Sequence, residues 1–494
     1  MRKTLVKHLL ILLGGVGCAQ IFYQEEMGLN TIFFTLPILI LAFAQTYKTG
    51  PYNKEVAITA VAAFLSALAV VGNDSLLAKI MYWFSIILFL GFIKHPLLQF
   101  LPLVTGAAIS NMVTVPWNMV RQWASRTRSS SNSFGFMIKK GVSWFIPLGL
   151  FTFFLLIYYL ANDKFQGLVD SIIDFCFNSQ GPGLASEQVG LFFVGSLVLG
   201  SVLLNNPFGD HLSEWQNRFS TNLNRIRNRR LPTYFSPIVL KGRFKLSIIT
   251  LTLLNALICI VNLTDLIYVW FSRRRLSAVE LSHYVHEGTN LLIFAILVAA
   301  LVVLVIFRKN LNFFPNNEGL KKLAYIWIGQ NIFMVFSVAI RNFQYLSNYG
   351  LTHKRIGVFV FLLIVLIGLV TLFLKIRDKK SLYFLWHRNS WAVFLILLVS
   401  GFINWNFLIT RVNLQSNFVK HLDTYYLINE LSNQNAYLLD RHEATLIQHS
   451  VLSSNKIRDR IQEKLKRASS GRSIYSWNWP YHLNRKYHQN KSKK

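Results

Sequence analysis

Long apolar segments separated by short basic loops dominate this sequence, and they restrict what it can fold into. A bilayer core of ~30 Å is crossed by a helix of ~20 residues, because each residue adds about 1.5 Å. Helices satisfy their own backbone groups in lipid, and the strand alternation of a barrel is not visible. We predict an all-α fold: a polytopic transmembrane helical bundle of about 11 spans with a C-terminal helical tail.

The predicted spans follow the apolar runs along the chain. They are residues 9–23, 31–45, 56–72, 76–93, 142–161, 189–204, 246–269, 291–307, 323–340, 356–374 and 391–409. We divide the chain into a transmembrane bundle with basic cytoplasmic loops (1–245), a second transmembrane region (246–409) and a basic, partly helical extramembrane tail (410–494).

Residues 97–117 are the one ambiguous apolar segment. They contain Pro102, Gly106, Asn111 and Pro116, so they form either a twelfth span or a broken, re-entrant or surface-lying segment. Lysine and arginine in short loops resist translocation, and the distribution of these residues is most asymmetric if 97–117 does not cross. That choice predicts a bacterial inner-membrane protein with a cytoplasmic N-terminus and a periplasmic C-terminus.

The net charge of +30 does not indicate nucleic-acid binding, because most basic residues lie in short loops beside apolar segments. We therefore expect no nucleic-acid partner. Membrane lipids are the expected partners, with anionic lipid as one interpretation of a basic loop and an orientation signal as the other. That loop carries Arg225, Arg227, Arg229 and Arg230.

No cofactor or metal site is predicted. The cysteines Cys18, Cys176 and Cys259 are far apart in sequence and form no metal-binding spacing. His286 and Glu287 begin a possible HExxH zinc motif, but Asn290 stands where the second histidine would be required.

Polar groups from three loops fall on the predicted outer face. Charges near a membrane need partners, so we expect Glu287 to face Arg341 or Arg355, with Asp265 and Glu280 as further candidate partners. The cluster is either a structural ion pair or a ligand pocket. Its candidate residues are Tyr284, His286, Glu287, Arg341, Asn342, Tyr349, Arg355, Asn404 and Arg411.

Two further features concern individual positions. Gly350 suits a tight turn, and Thr352 is placed to cap a helix that begins at His353. Gln330 and Asn331 lie midway along a predicted span. Amides at this depth are expected to hydrogen-bond to neighbouring helices, with a substrate path as the alternative.

Several strings in the second half of the chain carry a family resemblance. They are YVHEG at 284–288, LAYIWIGQN at 323–331, Arg341-Asn342, YGLT at 349–352 with Arg355, Asn404-Trp405 with Arg411 and Asn413, and Ser476-Trp477-Asn478. Together, over about residues 284–413, they resemble the bacterial membrane family called domain of unknown function 4173. The resemblance implies a multipass bacterial inner-membrane protein and brings no established activity or active site.

Two hypotheses for function follow. The first is a non-enzymatic membrane component in transport, sensing or envelope homeostasis. The second is a membrane enzyme that acts on a lipid-linked substrate at the outer face, with Glu25, Glu26 or Glu287 as acid or base. The first is preferred, because the sequence shows no nucleophile–base pair, phosphate loop or complete metal motif.

Overall fold

The computed structural model describes residues 2–46, 53–124, 162, 164–168, 186–204, 208–223, 237–271, 278–307, 309–415, 419, 421–450 and 453–493. The predicted span 142–161 and the four arginines between 225 and 230 lie outside these residues. Among the described residues, seven helices are long and apolar enough to cross a membrane, and other apolar helices are shorter. The predicted all-α helical bundle is confirmed.

The helices are numbered here in chain order. In the apolar region they are α1 (Arg2–Phe22), α2 (Asn30–Thr46), α3 (Lys54–Asn73), α4 (Leu76–Lys94), α5 (Leu101–Val113), α6 (Val115–Ala124), α7 (Ser186–Leu203), α8 (Phe208–Asn217), α9 (Pro237–Asp265), α10 (Ala278–Ile306), α11 (Glu318–Tyr349), α12 (His353–Arg377) and α13 (Leu382–Gly401). The rest are α14 (Trp405–Gln415), α15 (Ala436–Arg441), α16 (Glu443–Gln448), α17 (Ser454–Ser469) and α18 (Trp479–Ser492).

One of two compact units comprises Met1–Glu26, Leu36–Pro51 and Gly106–Gly209. Its main described contact is between α1 and α7, which run antiparallel and approach closely where glycines face each other. Small residues allow such close approach between helices in lipid. Lys7 Nζ donates to the main-chain oxygen of Leu203 (3.0 Å), which satisfies a carbonyl at the C-terminal end of α7.

The second unit comprises Met27–Thr35, Tyr52–Thr105 and Asp210–Lys494. Helices α9 to α12 surround an apolar core that includes Leu251, Ile296, Val303, Phe307 and Ala324. Since α10 carries the chain back between them, α9 and α11 run parallel. A π-helical turn, Leu266–Trp270, continues α9.

The tail forms a core of its own within this unit. Ile457, Ile461 and Leu465 share one face of α17, and all three are fully buried. Ile457 and Ile461 pack in one cluster with apolar residues of the tail and of the ends of α11 and α12. Leu465 packs in a second cluster with Ala436 and Ala468. The apolar face of α17 therefore packs against protein, and the basic residues of this helix other than Lys464 are exposed.

The structure gives the form of the ambiguous segment 97–117 and corrects the bounds of the last predicted span. The segment contains α5 and the start of α6, which meet at Thr114, so it has the broken form that the sequence allowed, and neither helix alone has the ~20 residues that cross a core of ~30 Å. The predicted last span, 391–409, is displaced: α13 begins after Ser381, which caps it by accepting from Phe384 N, and ends at Gly401. The prediction started too late, because it placed the charged residue Arg388 in a loop.

Candidate functional site

Polar side chains follow the contact between the parallel helices α9 and α11 at intervals of seven or eight residues. Gln330 Nε2 donates to Asn255 Oδ1 (3.0 Å), and Asn262 Nδ2 donates to the main-chain oxygen of Gln330 (3.1 Å). Trp270 Nε1 donates to Ser337 Oγ (3.0 Å). Seven residues make two helical turns at 3.5 residues per turn, so such a repeat keeps one stripe of each helix against its partner. Gln330 thus bonds to a neighbouring helix.

Arg341 and Asp265 add an ion pair to this row of contacts. Arg341 Nη2 donates to Asp265 Oδ1, and each side chain is only 6% exposed. Coulombic attraction is strong at such depth, and it offsets part of the cost of removing both charges from water. We call Asn255, Asn262, Asp265, Gln330 and Arg341 the polar seam. The side chain of Glu287 lies outside the described residues, so its predicted pairing with an arginine stays a prediction.

Arg355 holds the turn between α11 and α12. Its Nη1 donates to the main-chain oxygens of Tyr349 (3.0 Å) and Gly350, and its guanidinium lies 4.3 Å from the centre of the Tyr345 ring. The last carbonyls of a helix lack partners within the helix, so Arg355 serves as a cap for α11. The stacked ring adds a cation–π interaction.

Gly350 and Thr352 behave as the sequence predicts. Gly350 has φ +80° and ψ 177°, a combination open almost only to glycine. The side chain of Thr352 accepts from Arg355 N, and α12 begins at His353. A tight turn and a capped helix start are therefore confirmed at these positions.

Asn413 of α14 clamps the same turn. Its Oδ1 accepts from Leu351 N (2.7 Å), and its Nδ2 donates to the main-chain oxygen of Leu351 (2.9 Å). A Cβ on Gly350 would lie 2.8 Å from Asn413 Oδ1, so only glycine leaves room for the clamp. Asn342 Nδ2 also contributes, by donating to the main-chain oxygen of Arg355 (3.0 Å).

The tail binds to this turn as well. His421 N donates to the main-chain oxygen of Asn348 (2.9 Å), and His353 N donates to the hydroxyl of Tyr426 (3.0 Å). Burial raises the pKa of the Tyr426 hydroxyl, so this group stays protonated near neutral pH. We call Gly350, Arg355, Asn413, His421 and Tyr426 the turn–tail joint.

The remaining members of the predicted outer-face cluster lie elsewhere. Asn404 Oδ1 accepts from Phe407 N (3.0 Å) and so caps α14. Arg411 is exposed and donates to Gln415 on its own helix (3.1 Å). The side chains of Tyr284, His286 and Glu287 are outside the described residues, although their backbone belongs to α10. Where side chains are described, no group of three His, Cys, Asp or Glu could hold a metal.

Two other loops contact the tail at the same end of this unit. Before α2, Leu29 N donates to the main-chain oxygen of Trp477 (3.1 Å) and Asn30 N to that of Tyr475 (2.8 Å). Between α3 and α4, the main-chain oxygen of Asp74 accepts from Gln434 Nε2 (2.8 Å). No sequence pattern indicated a role for Gln434, and only the string at 476–478 pointed to this part of the tail.

The buried carboxylate of Asp440 holds the helices of the tail together. Asp440 accepts from Lys491 Nζ (2.8 Å), from the Tyr487 hydroxyl (2.9 Å) and from Gln462 Nε2 (3.0 Å). Burial, together with the hydrogen bond to Asp440, raises the pKa of Tyr487 to about 12. These contacts fasten α18 to α15 and α17, and nothing in the sequence pattern indicated them.

The chain was compared with known proteins. A family model described as Domain of unknown function (DUF4153) matches residues 31–442. The resemblance had indicated a family of the same kind with a different number, 4173, so the kind is confirmed and the number was wrong. The match also includes spans of the first half of the chain, which the resemblance had not covered. No curated protein and no solved structure matches the chain.

Proposed function

We propose that this chain, which belongs to the family described as domain of unknown function DUF4153, is a non-enzymatic component of a bacterial inner membrane that acts in transport, sensing or envelope homeostasis. Among these roles, a sensor or scaffold has the best support. A sensor transmits a change in the position of an extramembrane part to the spans. A scaffold holds that part in a fixed position relative to the spans.

The contacts of the Arg355 side chain are the observation that carries this proposal. In a ligand pocket we would expect its guanidinium to face an open space. Here it bonds to the carbonyls of Tyr349 and Gly350 and stacks on Tyr345. The neighbouring Asn413 and Tyr426 are likewise used to hold the turn and the tail together. The arrangement favours a rigid attachment of the tail to the spans.

The polar seam supports the same conclusion. A transport path needs polar groups that remain available along the membrane, whereas Gln330 and Asn255 bond to each other and Arg341 bonds to Asp265. Interhelical hydrogen bonds of this kind stabilise helix packing by ~0.6 kcal/mol each on average.

We further propose that the tail is periplasmic and the N-terminus cytoplasmic, as the charge distribution favours. In support, the loops near residues 29, 74 and 350, all assigned to the outer side by that distribution, contact the tail. Anionic lipid is the proposed partner of Arg225, Arg227, Arg229 and Arg230. Replacing these four by Gln should reduce the anionic lipid that copurifies with the protein.

The test of a scaffold compares variants in a strain that lacks the gene, with dye entry as the measure of envelope integrity. Arg355→Gln breaks the turn–tail joint. Arg411→Gln is its matched control, since Arg411 is exposed and, among the described residues, its side chain donates to Gln415 of its own helix. We expect Arg355→Gln to fail to complement and Arg411→Gln to complement fully.

The enzyme alternative is tested in the same strain. Glu25→Gln with Glu26→Gln removes two of its candidate acid–base residues, and we expect this double variant to complement. If it failed while Arg355→Gln complemented, the enzyme would be the better hypothesis.

A further inference from the structure

An apolar groove lies between α9, α10 and α11. Its volume is about 410 Å³, within the range of about 300–1,000 Å³ typical of small-molecule sites. Its walls are mostly aliphatic and aromatic, and the described residues that line it include no charged one. Leu257, Phe294 and Val298 lie at its edge, and these residues are 41–63% exposed. They belong to helices of the apolar region. The groove is therefore open toward hydrocarbon.

One polar side chain lines this groove. Asn331 is 1% exposed, and its Nδ2 donates to the main-chain oxygen of Trp327 one turn earlier (2.8 Å). Its Oδ1 has no hydrogen-bond partner among the residues that the structure describes. A buried acceptor without a donor costs ~1–3 kcal/mol, so the site gains most from a ligand that supplies one.

Neighbouring groups do not donate a hydrogen bond to Asn331 Oδ1. Trp327 Nε1 also lies beside the groove, but it donates to the main-chain oxygen of Ala299 (3.1 Å). Gln330 Oε1 and Asn262 Oδ1 also have no hydrogen-bond partner among the described residues, yet neither residue is part of the groove's described lining. Asn331 is therefore the only amide in position to recognise a molecule bound there, within the described lining.

We propose that this groove binds a neutral lipid alcohol, whose hydroxyl donates to Asn331 Oδ1 and whose chain lies along Leu254, Leu257 and Val298. The hydroxyl supplies the missing donor. The ligand is neutral because a charged headgroup would find no counter-charge in the lining and would be costly to bury at this depth. The site is separate from the turn–tail joint and does not depend on the proposed function.

The test uses the full-length protein in nanodiscs with two probes. The first is a long-chain alcohol that carries a photoreactive diazirine in its chain, and the second is its methyl ether, which cannot donate. We expect the alcohol to label α9 and α10 about tenfold more than the ether, the ratio that one buried hydrogen bond of ~1.4 kcal/mol provides. Excess unlabelled alcohol should suppress this labelling.

Variants then assign the preference to Asn331. Asn331→Leu should make the alcohol and the ether label equally, while the matched control Asn262→Leu keeps the preference. Equal labelling of the wild-type protein by both probes would mean that only an acyl chain is recognised, and would overturn the proposal. Labelling mapped outside the groove would overturn it too. Competition in the wild-type protein needs no variant, so a misfolded Asn331→Leu leaves the test intact.

Discussion

Asp265 Oδ1 accepts from Arg341 Nη2 between two parallel helices, and both side chains are almost completely buried. Removing one partner of such a pair takes a counter-charge away from the other, whereas removing both takes both charges out of the buried site.

We therefore predict that Asp265→Asn destabilises the protein by about 3–5 kcal/mol. Combining Asp265→Leu with Arg341→Met should restore most of the loss, because neither charge then remains buried. Thermal unfolding in detergent measures both effects. Additive losses in the double variant would show that the two residues act independently. The same comparison with Glu287→Gln tests whether Glu287 shares the arginine.

Gly350 provides the second prediction. Gly350→Ala should loosen the tail, because the backbone there is strained for any other residue by ~1–3 kcal/mol and the new Cβ would lie 2.8 Å from Asn413 Oδ1. Limited proteolysis should release the tail faster. Gly357→Ala is the matched control, since nothing lies within 4 Å of its Cβ position in α12. Equal proteolysis of the two variants would contradict the turn geometry.

The attachment of the tail before α2 gives the third prediction. A Cβ on Gly28 would lie 2.5 Å from the main-chain oxygen of Trp477, which bonds to Leu29 N. Gly28→Ala should therefore expose residues near Trp477 to faster hydrogen exchange. Gly72→Ala, with open space at its Cβ position, should leave exchange there unchanged. Unchanged exchange in both variants would refute the contact.

Lys464 gives a prediction for pH. Its Nζ donates to the main-chain oxygen of Leu431 (2.5 Å), and burial lowers its pKa to about 8 from 10.5. Between these values the unfolded tail binds more protons than the folded tail, so stability should rise as pH rises. The raised pKa of Tyr487 acts in the opposite direction only above about pH 10, where the unfolded phenol begins to lose its proton.

Urea titrations of the full-length protein in detergent, followed by a fluorophore on a cysteine placed at residue 470, measure this rise from pH 8 to 10. Lys464→Met should abolish it. Lys466→Met, an exposed change on the same helix, should preserve it. A rise that persists in Lys464→Met would assign it to another group.

The sequence predicted correctly those features that depend on residues adjacent in the chain. Gly350, Thr352 and the start of α12 at His353 were predictable, because turn and cap preferences depend on adjacent residues. The partner of Arg341 was not. A single sequence shows which side of a helix is polar, but not which neighbouring helix faces it, so Asp265 was only one of several candidates.

The tail contacts were the least predictable part. Gln434 and Asp74 are 360 residues apart in sequence, and their hydrogen bond depends on how distant segments pack. The burial of Ile457 and Ile461 against protein could not be distinguished from membrane contact, because an amphipathic face is the same in both cases.

Sidedness tests the central claim most directly: the tail is fixed to the end of α12 that begins at His353, opposite the end at Arg377. In a protein without native cysteines, Ile474→Cys and Lys379→Cys place exposed thiols at the two ends. A maleimide that cannot cross membranes should label residue 474 in intact cells, and residue 379 only after the cells are permeabilised. Labelling of residue 379 but not of residue 474 in intact cells would contradict the proposed orientation, and labelling of both at equal rates would contradict the attachment itself.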